Sequence, residues 1–234
     1  MKDVYEALMT EIEHKDGTCY EKILLSHDLT DDFKRYLASK INEFTPLCLT
    51  FIYDGIEKGL TESQIKIYAK PKFKFLEMAE ILKGFEDGLT EEEVSVYAKT
   101  TFTSFQMAEI RKGWKKGLAK EQILVYAQRK FSWYQMGEIR DGFEHGLSES
   151  QVMVYAKAEL SWEQMREIRY GFENGLSKEQ VNLYAKYEFN WCKMYEIRSG
   201  LEYGLTEAEV KSYAKYEYDA ITMEKMRLAL IDKE

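Results

Sequence analysis

This chain has little of what interrupts helices and little of what performs chemistry. Only two of its 234 residues are proline, Pro46 and Pro71, so backbone stops are few and a mostly helical chain is expected. No Ser- or Pro-rich linker suggests disorder. Cys19, Cys48 and Cys192 are an odd, scattered set without disulfide, metal or redox spacing, and reduced thiols are expected. His14, His27 and His145 have no partner at metal-ligand or triad spacing. The segment Gly113-Trp114-Lys115-Lys116-Gly117-Leu118 lacks the Gly-Lys-Ser/Thr ending of a phosphate-binding loop. Glutamates are plentiful but recur identically, whereas an active site needs unlike groups converging at one place. No enzymatic activity, cofactor or metal is therefore expected. No apolar run approaches membrane-spanning length, and Met1-Lys2-Asp3-Val4-Tyr5-Glu6 does not lead from a basic into an apolar stretch. A cytoplasmic protein without membrane association is the expectation.

What is present is a period. Gly59-Leu60, Gly88-Leu89, Gly117-Leu118, Gly146-Leu147, Gly175-Leu176 and Gly204-Leu205 follow one another at intervals of 29 residues (88 − 59 = 29). Tyr68-Ala69, Tyr97-Ala98, Tyr126-Ala127, Tyr155-Ala156, Tyr184-Ala185 and Tyr213-Ala214 keep the same interval. Repetition at this length marks stacked supersecondary units.

The copy from Phe131 to Glu159 shows the design. Ser132 and Gln135 form a capping box that starts a helix near Trp133, and Trp133, Met136, Ile139 and Phe143 share one stripe. Gly146 ends that helix. Ser148 and Gln151 start a second, which buries Val152, Tyr155 and Ala156 and stops near Lys157. The expected unit is a helical hairpin of roughly 12 plus 9 residues, and neither helix is long enough to be stable alone in water. Ala119 stands where other copies have Ser or Thr, so the third copy should start its second helix less crisply. The fold expected is an all-α α-solenoid of six repeats over residues 46–219. Residues 1–45 form an N-terminal helical cap and residues 220–234 a C-terminal capping helix, all in one continuous elongated domain.

Gln164-Met165-Arg166-Glu167-Ile168-Arg169-Tyr170-Gly171-Phe172-Glu173-Asn174-Gly175-Leu176, followed by Val181 and Tyr184-Ala185-Lys186, carries the clearest form of the motif. It resembles an uncharacterised helical-repeat family of gut Gram-positive bacteria, their phages and mobile elements. The likeness covers roughly residues 47–230; to tetratricopeptide repeats it is one of architecture only. The resemblance implies helical repeats and a mobile-element setting, and it implies no reaction.

Copies within one chain separate two sets of positions: those kept in every copy should serve stacking, and those that change should serve whatever lies outside. Gly142 and its equivalents recur although mid-helix glycine costs about 1 kcal/mol relative to alanine, which close approach of a neighbouring helix would offset. Glu138 and Arg140 recur too. Either they grip a linear ligand or, as the preferred reading, Arg140 pairs with Glu144 or with a charge on the adjacent repeat. The tyrosine row could stack on bases, but its place between valine and alanine favours core.

The varying stripe, equivalent to 134, 137, 141 and 145, is the candidate binding face. Its residues are Lys83, Phe105, Lys112, Lys116, Tyr134, Asp141, His145, Arg166, Tyr170, Tyr195 and Tyr203, rich in the tyrosine and arginine that binding hot spots favour. The function expected is a non-enzymatic scaffold for a bacterial protein partner, and the resemblance narrows this to a phage or mobile-element inhibitor of a bacterial defence protein. The alternative is a single-stranded nucleic-acid-binding repeat that uses the basic segment 66–130, where 13 basic and 9 acidic residues give +4. The formal charge of −8 speaks against it.

Overall fold

The computed structural model describes residues 17–232, and among these it is all-helical, with fifteen α-helices, one 3-10 turn and no strand. The chain forms two compact units, Met1–Lys115 and Lys116–Glu234. The first holds α1 (Gly17–Leu25), α2 (Asp31–Ser39), the 3-10 turn Ile41–Glu43, α3 (Pro46–Glu57), α4 (Glu62–Tyr68), α5 (Phe75–Glu86), α6 (Glu91–Tyr97) and α7 (Ser104–Lys115). The second holds α8 (Lys120–Tyr126), α9 (Trp133–Glu144), α10 (Glu149–Tyr155), α11 (Trp162–Glu173), α12 (Lys178–Asn182), α13 (Trp191–Tyr203), α14 (Glu207–Tyr213) and α15 (Ala220–Ile231).

Within each unit successive helices pack in solenoid-like order. Long helices α1, α3, α5 and α7 form one layer, as do α9, α11, α13 and α15, and the short helices lie against their own long helix or the next. The core of each unit is the apolar stripe of the long helices, such as Met136, Ile139 and Phe143, closed by Val152 and Tyr155 from the short ones.

The capping boxes form. Ser132 accepts from the Gln135 N–H at 3.3 Å while the Gln135 side chain accepts from the Ser132 N–H at 2.8 Å. At the other end of α9, Gly146 has φ +83°, the Leu147 N–H reaches the Gly142 carbonyl at 2.9 Å and the Gly146 N–H that of Phe143 at 3.0 Å. This is a Schellman termination, for which only glycine is unstrained.

Two expectations need correction. Ala119 lacks the side-chain bond of the other caps, yet its helix starts in register: α8 has seven residues, as α10 does, and the Gln122 side chain still accepts from the Ala119 N–H at 2.9 Å. One half of the box is enough to hold the start. The short helices also run to seven residues, five in α12, rather than nine. The stop is the Tyr-Ala-Lys motif itself. Ala156 sits at φ −70°, ψ 61°, and the Lys157 N–H bonds back to the Tyr155 carbonyl at 2.6 Å, an inverse γ-turn that turns the chain out of the helix.

Candidate partner-binding face

The recurring residues are consumed inside the units. Tyr155 is fully buried, and its hydroxyl donates to the Glu138 carbonyl at 3.4 Å; Tyr184 and Tyr213 do the same to Glu167 and Glu196 at 3.3 and 3.2 Å. Burial pushes these phenols well above the ordinary range. The hydroxyl lies directly on Gly142, where a Cβ would overlap it, and Gly171 and Gly200 receive Tyr184 and Tyr213 in the same way. The close approach expected at the mid-helix glycine therefore comes from the tyrosine of the following short helix.

The Glu-Ile-Arg row is a ladder between long helices. Arg169 donates from Nε to Glu138 at 3.0 Å and from Nη1 to Glu173, on its own helix, at 2.6 Å. Arg198 bridges Glu167 and Glu202, and Arg227 reaches Glu196. In the first unit Arg111 spans Glu80 and Asp87. Arg140 pairs with Glu144 at 2.5 Å and with Asp141 at 2.9 Å. Both forms of the structural reading thus occur. Burial opposes the charge on Arg169, yet the hydrogen bonds and charges of Glu173 and Glu138 outweigh it and hold the guanidinium ionised. Gln135 does more than cap its helix. Its amide donates to the Ala158 and Leu160 carbonyls at 3.2 and 2.7 Å, tying one long helix to the loop before the next.

Some varying residues also pair between neighbouring repeats. The last position of the stripe pairs across 28 residues in four chemically different ways: Lys58 with Glu86, Asp87 with Lys115, His145 with Glu173, and Asn174 with Glu202. Each is a clasp between neighbouring turns; the partner is glutamate in three of them, and only where the position is acidic, at Asp87, does a lysine replace it. His145 therefore faces Glu173 at 2.7 Å, with Arg169 Nη1 at 3.5 Å. A reading that equates variation with an outside ligand misses this compensation, although the 28-residue spacing of the complementary pairs is legible in the sequence.

What remains outside is mostly aromatic. Phe105, Tyr134, Tyr170, Tyr195 and Tyr203 are exposed, as are Lys83, Lys112, Lys116 and His145, while Asp141 and Arg166 are half-buried. Lys83 and Lys112 lie against Glu80 and Glu109, three residues before them, at 2.7 and 2.6 Å. In the second unit Tyr134 stacks on Trp133 and on Trp162, ring centres 3.6 and 5.5 Å apart, and the Arg166 guanidinium covers Trp162 at 5.0 Å. Further along, Arg169 and Arg198 lie 4.7 and 5.6 Å from the Tyr170 ring, and Arg198 lies 5.3 Å from that of Tyr195. The ladder arginines thus stiffen the outer tyrosines from below. Trp133, placed on the apolar stripe by its spacing, is only half-buried, and with its equivalents Trp162 and exposed Trp191 it extends this face.

No family model, curated protein or solved structure matches the chain. Among the described residues no cluster of His, Cys, Asp and Glu could hold a metal ion, and no helix is long and apolar enough to cross a membrane.

Proposed function

We propose that the protein is a non-enzymatic scaffold that binds a protein partner on the outer face of its long helices. The observation behind this reading is the segregation of side chains: the consensus residues are buried and most of them pair with one another, while Tyr134, Tyr170, Tyr195 and Tyr203 stand exposed on successive long helices of one unit. Rigid aromatic side chains that lose little entropy on contact are what hot spots are made of. The resemblance to repeats of phages and mobile elements supports a narrower form, an inhibitor that occupies a bacterial defence protein.

The test starts with capture of the partner from a bacterial lysate by the full chain. Binding is then compared with that of a Tyr170→Ala/Tyr195→Ala/Tyr203→Ala variant. A loss of at least about tenfold, roughly 1.4 kcal/mol, at unchanged melting temperature is expected. Full-strength binding by the variant would sink the proposal.

A further inference from the structure

The first unit carries a second, differently built outer row. Leu47, Leu76 and Phe105 hold equivalent places at the start of α3, α5 and α7, 29 residues apart, and are 54, 50 and 59% exposed. Phe75, also exposed, adjoins Leu76. Three large apolar side chains left in water at one position of three adjacent helices form a line across the layer, not scattered surface residues. Seven residues after Leu76 and Phe105 come Lys83 and Lys112. Seven residues are two helical turns, so each lysine lies on the same line of its helix, about 10 Å further on. The capping carboxamide and carboxylates nearby are already taken: Gln106 and Glu77 accept from the N–H of Thr103 and Lys74, and Glu80 accepts from Arg111. Lys72 and Lys74, just before α5, are exposed on the loop side. The apolar row therefore has Lys83 and Lys112 on one side and, at α5, Lys72 and Lys74 on the other, where α7 has Thr101 and Thr103; α3 departs on both sides, with Asp54 at the lysine position and Glu43 and Thr45 on the loop side.

We infer that this row docks an acidic amphipathic helix of the partner, laid across α3, α5 and α7. The inference rests on the scaffold reading and names the chemistry of what the scaffold holds. Packed helices lie about 8–10 Å apart, and a partner helix advances about 10.5 Å in seven residues. One apolar side chain per heptad therefore meets one member of the row each time, whereas an extended strand has no same-face repeat near that spacing. Glutamates or aspartates flanking the seam would meet Lys83 and Lys112 on one side and Lys72 and Lys74 on the other. Asp54 sets the direction, because the end of the partner over α3 cannot be acidic. The lysine–glutamate contacts of Lys83 and Lys112 are solvent-exposed pairs of the kind that contribute little, so the ammonium groups remain open to a second carboxylate.

The probe is a fluorescent helical peptide with leucines at heptad a and d positions and glutamates elsewhere, titrated against the full chain by anisotropy. A mate with lysines in place of the glutamates serves as control. The acidic peptide should bind at least about tenfold more tightly than its mate, and its affinity should fall with added salt. Leu47→Ser/Leu76→Ser/Phe105→Ser should abolish binding, while the Tyr170→Ala/Tyr195→Ala/Tyr203→Ala variant should bind normally. All six side chains are exposed, and a thermal melt of each variant checks that the fold is kept. Equal binding of the two peptides, no binding of either, or unchanged binding by the row variant would overturn the inference. Loss in the tyrosine variant with no loss in the row variant would also overturn it while leaving the scaffold proposal standing. Failure of the captured partner to depend on the tyrosines would strike that proposal and not this one.

Discussion

Gly142 and Tyr155 form the smallest unit of this fold, because each residue explains the other. Glycine is a poor helix former, yet here the missing Cβ is the space that the phenol hydroxyl fills. Gly142→Ala should therefore destabilise the chain by about 1–3 kcal/mol, as overpacking does, although alanine is the better helix former. Tyr155→Phe removes the obstructing oxygen and leaves the ring carbon at 3.2 Å from the new methyl. Urea unfolding of the double variant should show part of the loss recovered, and strictly additive losses would contradict the lock. A pH effect belongs to this scale as well. Burial works against ionisation of Asp87, but hydrogen bonds from Lys115 and Arg111 outweigh it and hold the carboxyl below the usual range. Its contribution is thus complete above the ordinary carboxylate pKa of about 4 and disappears as pH falls through the lower folded value. Asp87→Asn should lower the melting temperature at neutral pH and leave it nearly unchanged in strong acid. An equal loss at both pH values would argue against the ion pairs.

At the scale of elements, the long helices are joined by a ladder whose rungs are buried charges. Arg169, 4% exposed, is enclosed by Glu138 and Glu173. Arg169→Ala leaves Glu138 buried without its partner and is expected to cost about 3–5 kcal/mol, read as a shift in the denaturation midpoint. Arg169→Lys should not restore it, since a single ammonium nitrogen lacks the planar fork by which Nε and Nη1 reach Glu138 and Glu173 separately. A near-neutral Arg169→Ala would show the ladder to be ornamental. The ladder also has an end. Arg227 of α15 reaches back to Glu196, but the place held by Glu138, Glu167 and Glu196 in the preceding long helices is taken by Lys225. A further long helix with arginine in register would meet a like charge. The helix starts and stops were legible because caps are local, and Ser132, Gln135 and Gly146 act within one turn of the residues that carry them. The early stop of α10 was not, because an inverse γ-turn at alanine has no compositional signature.

At the scale of the molecule, the basic segment tests the choice between partner classes. Arg111 and Lys115 each face Asp87 of the first unit, which leaves fewer cations for phosphates than the sequence count of 13 suggests. Single-stranded RNA or DNA is therefore expected to give no gel shift at physiological salt. A shift that weakens steeply with salt would restore the nucleic-acid reading. The candidate face was partly readable. Phe105, Tyr134, Tyr170, Tyr195 and Tyr203 lie on the exposed side, as helical geometry places them; His145 is exposed too, but its ring is engaged by Glu173. Leu47 escaped notice because a single leucine near a helix start carries no signal until its equivalents are seen exposed beside it.

The sequence by itself determined the helical hairpins, because their signals act within a turn or two: caps, the terminating glycine and the apolar stripe. It also distinguished recurring from varying positions. Only the tertiary structure decided what each position does. Whether an arginine binds a ligand or a neighbouring glutamate depends on side chains 31 residues apart, as Arg169 and Glu138 are. Whether a varying residue faces solvent or its counterpart in the next copy depends on how closely the long helices approach, and no local rule contains that distance.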